Sequence, residues 1–552
     1  MTHCSISPRY RFGLRSSTST LVLSILAACG GGGSSDSTPA PPLGTATVTL
    51  LAPSTGKASW NLSTPISVTL RDGAGALVSG PPSCTSADAV ALTVAANCAT
   101  VVGNRLGIQT LVVSAGSVSA STTIKIVPQA QPLAAQGVAS SNGSGDYNLA
   151  TTPAGKVLAW GANPGGVLGQ GQFDPALQAV FLPVTVKDST GLADLTGVQA
   201  TSAGNKNALA LTEDGEVWSW GDNGSGALGR VKANGDALPG KVNNAAVNGN
   251  LAGIVAVSPG DSNVAALSHD GTVYTWGNYG GRTAPGSTTV PGQVVAVSGS
   301  GVLSGIVAVS SGNSWAAALT ADGRVVSWGY DLSDGRTGHG TASNSVLLPG
   351  YVVRASDGQP LSDIVAISAG YNFGLALTST GQVWAWGNNA SGQTGQNTQN
   401  VLTPSAVQVK GVGGVGLLSN ITMVAAGGNH ALVLDSSGRV FSWGYSQNGE
   451  LGDGAAHPRV NQSLLPAAVV SELGTGQLSG MVAIAAGYAH SLALAADGSL
   501  YAWGAGFRGD LGQGSGNVAI LYVPTKVKDA AGTGSLSVGP LSYFPNLLRR
   551  AR

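Results

Sequence analysis

The stretch Gly487-Tyr488-Ala489-His490-Ser491-Leu492-Ala493-Leu494-Ala495-Ala496-Asp497-Gly498-Ser499-Leu500-Tyr501-Ala502-Trp503-Gly504 decides the fold. Two alternating apolar runs flank Asp497-Gly498. Alternation is the period-two pattern of a strand with one face buried, and Asp-Gly between two such runs is a strong hairpin signal. The frame recurs, as in Asp214-Gly215-Glu216-Val217-Trp218-Ser219-Trp220 and Asp322-Gly323-Arg324-Val325-Val326-Ser327-Trp328. Its Trp-Gly pair stands at Trp160, Trp220, Trp276, Trp328, Trp386, Trp443 and Trp503, with separations of 60, 56, 52, 58, 57 and 60 residues. A glycine opens the copies (Gly204, Gly260, Gly312, Gly370, Gly427, Gly487), and a polar turn often ending Leu-Gly follows Trp-Gly. One such unit is a small sheet that cannot bury both faces by itself. Seven set radially cover one another and leave few open edges. The expected fold is all-β, with a seven-bladed β-propeller over 133–540 whose seven tryptophans are structural.

The opening glycine with His490-Ser491-Leu492-Ala493-Leu494, then Asp497-Gly498 and Trp503-Gly504, resembles the regulator of chromosome condensation repeat. Seven copies over about 400 residues carry the resemblance. Leu-Gly becomes Thr337-Gly338 and Thr394-Gly395 in two copies and is lost after Trp276. The first copy opens weakly, around Gly145-Asp146-Tyr147-Asn148-Leu149-Ala150, where a ring must close. The apolar segment from Leu521 to Val527 is a candidate closing strand. The resemblance implies structural roles for His430 and His490. It also raises guanine-nucleotide exchange, the activity of the eukaryotic namesake; fold does not carry function, and the export signal described next separates this chain from cytosolic GTPases.

Upstream of the repeats the chain changes character. Residues 43–130 hold short β-branched runs (Thr45 to Leu51, Ile66 to Leu70, Val90 to Val94, Thr110 to Val113, Ser121 to Val127) separated by turn residues. Their spacing suggests a small β-sandwich, and the segment resembles bacterial immunoglobulin-like domains, which often serve as stalks. Residues 29–42, Gly/Ser-rich and then Pro-rich, read as a tether. In 1–28, Arg9, Arg11 and Arg15 precede a short apolar stretch that ends in Leu26-Ala27-Ala28-Cys29. It is too short to span a membrane and reads as an export signal. It resembles the lipobox of bacterial lipoproteins, which implies cleavage before Cys29, acyl chains on Cys29 and a membrane anchor, with Gly30 implying the outer membrane. Cleavage removes three arginines and no acid, leaving a net charge of −3 on a chain that is neutral as a whole. Cys84 and Cys98 then remain, and in an exported protein they are expected to pair. Residues 541–552 form a C-terminal tail.

The residues offer little for catalysis. Charged residues are 9% of the chain and balance at 26 of each sign, which gives no support to nucleic-acid binding. Gly411 to Gly416 and Gly504 to Gly509 match a dinucleotide-binding spacing, the first with Asp435 downstream, but neither opens a helix. His269, His339 and His457 are isolated. Asp214, Asp270, Asp322 and Asp497 are needed by their turns. Asp331 and Asp334 lack the spacing of a calcium loop. No cofactor or metal is expected, nor enzymatic activity. The remaining signal is aromatic residues in turns: Tyr279, Tyr330, Tyr445 and Phe507 after Trp-Gly, and Trp315, Tyr371, Phe373 and Tyr488 after the opening glycine. Equivalent turns of a propeller share one rim, and aromatic residues dominate protein interfaces. The chain is expected to be a lipid-anchored cell-envelope protein whose rim binds another protein, with a glycan or cell-wall ligand as the alternative.

Overall fold

The structure is a computed structural model. It describes residues 45–538 except 53–56, 61–62, 96, 128–132, 136–146, 172–178, 233, 279–288, 344–345, 455–461 and 515–519. Cys29, the tether, Tyr279, His457 and the tail 541–552 lie outside the described residues.

Seven four-stranded antiparallel sheets follow one another along the chain, over 133–185, 198–241, 254–293, 306–351, 364–408, 421–468 and 481–526. They are blades 1 to 7 of the β-propeller. In blade 7 the strands are Met481–Ala486, His490–Ala495, Leu500–Ala505 and Ile520–Lys526. The first strands of successive blades touch around the ring, and that of blade 7 touches that of blade 1. First strands therefore line the axis and fourth strands face outward. The Asp-Gly turn behaves as its sequence dictates. Gly498 N–H donates to the Ala495 carbonyl (3.0 Å) and Ala495 N–H to that of Ser499 (2.9 Å). Gly498 adopts φ 88°, which favours glycine, and the Asp497 carboxylate accepts the Ser499 N–H at 2.8 Å.

The blades are joined by repeated polar links set into apolar packing. All seven Trp-Gly tryptophans are buried. In six of them the indole N–H donates to a backbone carbonyl of the preceding blade: Trp220 to Val167, Trp276 to Ala227, Trp386 to Arg336, Trp443 to Gln393, Trp503 to Glu450, and Trp160 to Asp510 across the closure. Each accepting residue immediately precedes the Leu-Gly or Thr-Gly pair. The acceptor is backbone, so exchanging Leu for Thr at 337 and 394 leaves the link intact. On the axis, the hydroxyls of Ser258, Ser310 and Ser368 accept the N–H groups of Ser311, Ala369 and Ala426 in the next blade, at 2.9, 2.9 and 3.0 Å.

Closure differs from the sequence expectation. The segment from Leu521 to Val527 does not cross to blade 1; Ile520–Lys526 pairs with Leu500–Ala505 in its own blade. The ring closes through the links used in other seams, including the Gly514 N–H donating to the Phe181 carbonyl at 3.0 Å. Besides the Trp160 link, the Asn148 amide donates to the Asp510 carbonyl at 2.7 Å, and its oxygen accepts from His490 Nε2 at 2.7 Å.

The N-terminal unit has nine strands in three small sheets, one pairing Thr47–Ala52 with Ser67–Arg71. Gly107–Ala115 and Val118–Val127 form its longest hairpin. Its core includes Trp60, Leu92, Val101, Leu111, Val113, Ile124 and Ile126. A disulfide joins Cys84 to Cys98. The unit is docked on the propeller: Lys57 Nζ meets Glu213 Oε1 at 2.6 Å, Lys125 Nζ meets Asp214 Oδ1 at 2.9 Å, and a Leu106 methyl lies against Gly215. Glu213-Asp214-Gly215 is the hairpin turn of blade 2.

Candidate interaction face

Strand direction divides the turns between two faces. Turns joining second to third strands, and the crossings between blades, lie on one side; we term it the hairpin face. Turns joining first to second and third to fourth strands lie on the other, the loop face. The N-terminal unit is docked on the hairpin face. The described rim candidates Tyr330, Tyr371, Tyr488 and Phe507 lie in loop-face turns, and Tyr445 ends the third strand of blade 6 on the same face.

Two candidates fail on burial. Trp315 and Phe373 are 0% exposed. Each begins the second strand of its blade, the position held by Tyr147, Asn207, Asn263, His430 and His490 elsewhere. That position points into the seam with the next blade. Trp315 Nε1 donates to Gly370 O (3.2 Å) and the Tyr147 hydroxyl to Asn207 O (2.7 Å), while the Phe373 ring packs in the blade 5–6 core. His490 donates through Nε2 to an amide oxygen. The Ser491 hydroxyl gives its proton to Glu450 O (2.9 Å), so His430 Nε2 donates to Ser491 Oγ (2.9 Å). Burial holds His430 down to about 3, helped by the His490 charge, and His490 to about 4. Both imidazoles are neutral structural groups.

The other candidates are accessible. Phe507 is 57% exposed, and Tyr330, Tyr371, Tyr445 and Tyr488 are half-buried. Tyr371 of blade 5 and Tyr488 of blade 7 meet edge-on, with ring centroids 6.0 Å apart. They meet because blade 6 has Gly428 between them; a Cβ there would stand 2.5 Å from Tyr488 Cδ2. Beneath them the opening glycines form a collar. A Cβ on Gly204, Gly370 or Gly427 would lie 2.8, 2.7 or 2.5 Å from the carbonyl oxygen of Gly260, Gly427 or Gly487 in the next blade. Only a residue without a side chain permits that approach. Backbone hydrogen bonds tie the loops together: Asn205 N–H to Gly260 O, Asn313 N–H to Tyr371 O, Tyr371 N–H to Gly427 O and Gly428 N–H to Gly487 O, at 3.0 to 3.3 Å.

Charge is gathered beside the rings. Asp261 accepts from the Asn205 amide, and burial pushes its carboxyl above the ordinary range against that bond and the Lys206 charge. Arg336 is held by Asp334, with Nε to Oδ1 at 2.7 Å, and gives its remaining arm to Asn313 O at 2.9 Å. Burial raises the Tyr371 hydroxyl, and the Asp261 charge adds to it. Sequence reasoning missed Asp261 and Asn205, although they occupy the loop positions equivalent to Tyr371 and Tyr488. It also missed the docking residues Lys57, Lys125 and Glu213, which no local pattern connects.

One cluster has the membership of a nucleophilic site. Ser327 lies 2.8 Å from His339 Nε2, with Asp331 nearby. The Ser327 hydroxyl donates to the Thr337 carbonyl, so the imidazole is the donor and draws no proton from serine. Asp331 is taken up by the Thr337 N–H and hydroxyl (both 3.0 Å) and the Ser343 N–H (2.8 Å). Ser219 and Ser442 make the same serine-to-carbonyl bond, to Leu228 and Leu451. The cluster holds the blade 4 turn. Asp331 and Asp334 are both engaged by protein donors.

Among protein families, the RCC1-like domain matches residues 156–540. RUG3, a mitochondrial RCC1 domain-containing protein of Arabidopsis thaliana, is 30% identical over 363 residues, covering 63% of this chain and 77% of that protein. The human E3 ubiquitin-protein ligase HERC2 is 32% identical over 337 residues, covering 60% of this chain but only 6% of the ligase. Among solved structures, Prp20p of Saccharomyces cerevisiae, described with its binding to Gsp1p and histones, covers 73% of this chain and 88% of its own at a TM-score of 0.56 and 24% identity.

Proposed function

Since the chain belongs to the RCC1-like domain family through residues 156–540, we propose that it is a binding protein whose loop face engages a protein partner at the cell envelope. One observation carries this reading. The accessible rim aromatics Tyr330, Tyr371, Tyr445, Tyr488 and Phe507 lie on the face opposite the docked N-terminal unit, so docking leaves them open and turns them away from the unit that precedes the propeller. The family's propellers are chiefly interaction modules, and HERC2 places one within a far longer enzyme. The finer parts rest on sequence: acylation of Cys29, a tether at 29–42, an N-terminal unit of immunoglobulin-like type and an outer-membrane location. The Cys84–Cys98 disulfide supports an oxidising compartment.

A photo-crosslinking residue in place of Phe507 on the loop face, and another in place of Leu192 in the crossing from blade 1 to blade 2, tests the reading in the native envelope. The expected result is one protein adduct from the Phe507 position and none from Leu192. Adducts only with glycan or cell wall at the Phe507 position would replace this reading with the glycan-binding one. A protein adduct from Leu192 alone would place the binding face on the other side.

A further inference from the structure

We propose that the axial mouth of the loop face receives an arginine side chain of the partner, held between the Asp261 carboxylate and the rings of Tyr371 and Tyr488. This deepens the reading of the loop face as a binding face and rests on it.

Asp261 brings a charge from blade 3. Its hydrogen-bond donor is the neutral amide of Asn205, and among the described residues no Lys, Arg or His comes within ion-pair range of it. The guanidinium that shares the cluster is already used. Arg336 is forked onto Asp334 and donates its remaining arm to Asn313 O, so it cannot swing to Asp261 without breaking three charge-assisted bonds. Lys206 lowers the Asp261 carboxyl from a distance, yet burial outweighs it. A half-buried carboxylate with a neutral partner gains from a cation brought to it.

The rings supply the second half of a cation site. Asp261, Tyr371 and Tyr488 each follow the opening glycine of their blade, which sets all three residues on the same axial mouth, and Tyr488 meets Tyr371 edge-on across the side-chain gap at Gly428. An aromatic face beside a carboxylate attracts a cation by its quadrupole and by its neighbour's charge together. A planar guanidinium can stack on a ring while donating in its own plane, which an ammonium cannot. The glycine collar and its backbone bonds fix these loops beforehand, so little ordering is lost on binding.

Calorimetric titration of the full chain with the peptide acetyl-(Gly-Arg)₄-amide, and with the same peptide carrying citrulline for arginine, is the test. Citrulline keeps the shape and removes the charge. The arginine peptide is expected to bind about tenfold more tightly, the worth of one charge-assisted hydrogen bond. Asp261→Asn is expected to lose about that same factor and Tyr371→Phe to stay within about threefold, because the ring face remains. Glu216→Gln, which removes an acid from the hairpin face, is expected to stay within about twofold, as a screened remote charge should. Tyr488→Leu provides an independent loss should Asp261→Asn fail to fold. Equal binding of the two peptides, or unchanged affinity in both Asp261→Asn and Tyr488→Leu, overturns the proposal. Protein crosslinking at Phe507 would survive that outcome, so the two readings fail separately.

Discussion

His430 and His490 show how position within a blade, more than residue type, sets a side chain's role. Both begin second strands and are buried in seams, neutral, donating through Nε2 while Nδ1 has no partner. Their folded values, about 3 and about 4, lie below the ordinary 6.5. Between pH 6.5 and those values the unfolded chain takes up protons that the folded chain refuses. Their contribution is fully present above pH 6.5 and falls as the pH drops through that window, by up to about 1.4 kcal/mol per pH unit for each imidazole. Urea midpoints at pH 7 and pH 4.5 should therefore fall more steeply for the native chain than for His430→Asn/His490→Asn, Asn being the residue that blades 2 and 3 use there. Equal slopes would show that carboxylates alone set the acid limit. The same position explains why Trp315 and Phe373 read as surface aromatics and are not. By type they resemble interface residues; by frame they align with His490, a clue already present in the repeat. Tyr371 and Tyr488 stand two residues earlier, in the turn, and remain accessible.

At the scale of the element, the blade was legible because its signals are local. Asp-Gly fixes the hairpin, alternation fixes the buried faces, and Trp-Gly marks the third strand. Ring closure was not, because Asn148 stands more than 340 residues from His490 and Asp510 in a first copy whose opening half departs from the repeat. The N-terminal unit was legible in part. Its longer strands match the β-branched runs, whereas Lys57–Ser59, Ser63–Pro65 and Ser83–Ser86 are too short and polar to announce themselves. Between blades, the tryptophan N–H is the repeated bond. Trp276→Phe should keep most of the apolar contact but strand the Ala227 carbonyl inside the seam and leave a void. The expected cost is about 2–4 kcal/mol, read as a lower urea midpoint with the propeller's far-ultraviolet spectrum retained. A loss below about 0.5 kcal/mol would mean that water replaces the indole at that carbonyl.

For the whole molecule, the informative contact is the one between its two units. Lys57 and Lys125 meet Glu213 and Asp214 at partly exposed positions, and the Asp214 contact is the main cause that raises the Lys125 ammonium. Exposed pairs contribute about 0.2–1 kcal/mol each, so the ionic part of this joint is modest and salt-sensitive, beside an apolar part that includes Leu106. Glu213→Lys/Asp214→Lys should release the N-terminal unit, seen as a larger radius of gyration in solution scattering. Lys57→Glu/Lys125→Glu in the same chain should restore the compact value. A radius unchanged by the first pair would assign the joint to Leu106 and its apolar neighbours.

The glycine collar carries a consequence for how such a chain can change over generations. Neighbouring blades recognise one another there through main-chain atoms, which substitutions outside the glycines leave in place unless they introduce proline and remove an N–H donor. The two residues after each glycine are correspondingly released from holding the ring, as the variety Asn205, Asp261, Asn313, Tyr371, Gly428 and Tyr488 at a single position illustrates. Selection can rewrite that face one blade at a time while the scaffold stays constant, so a lineage could exchange one partner for another without passing through an unfolded ancestor.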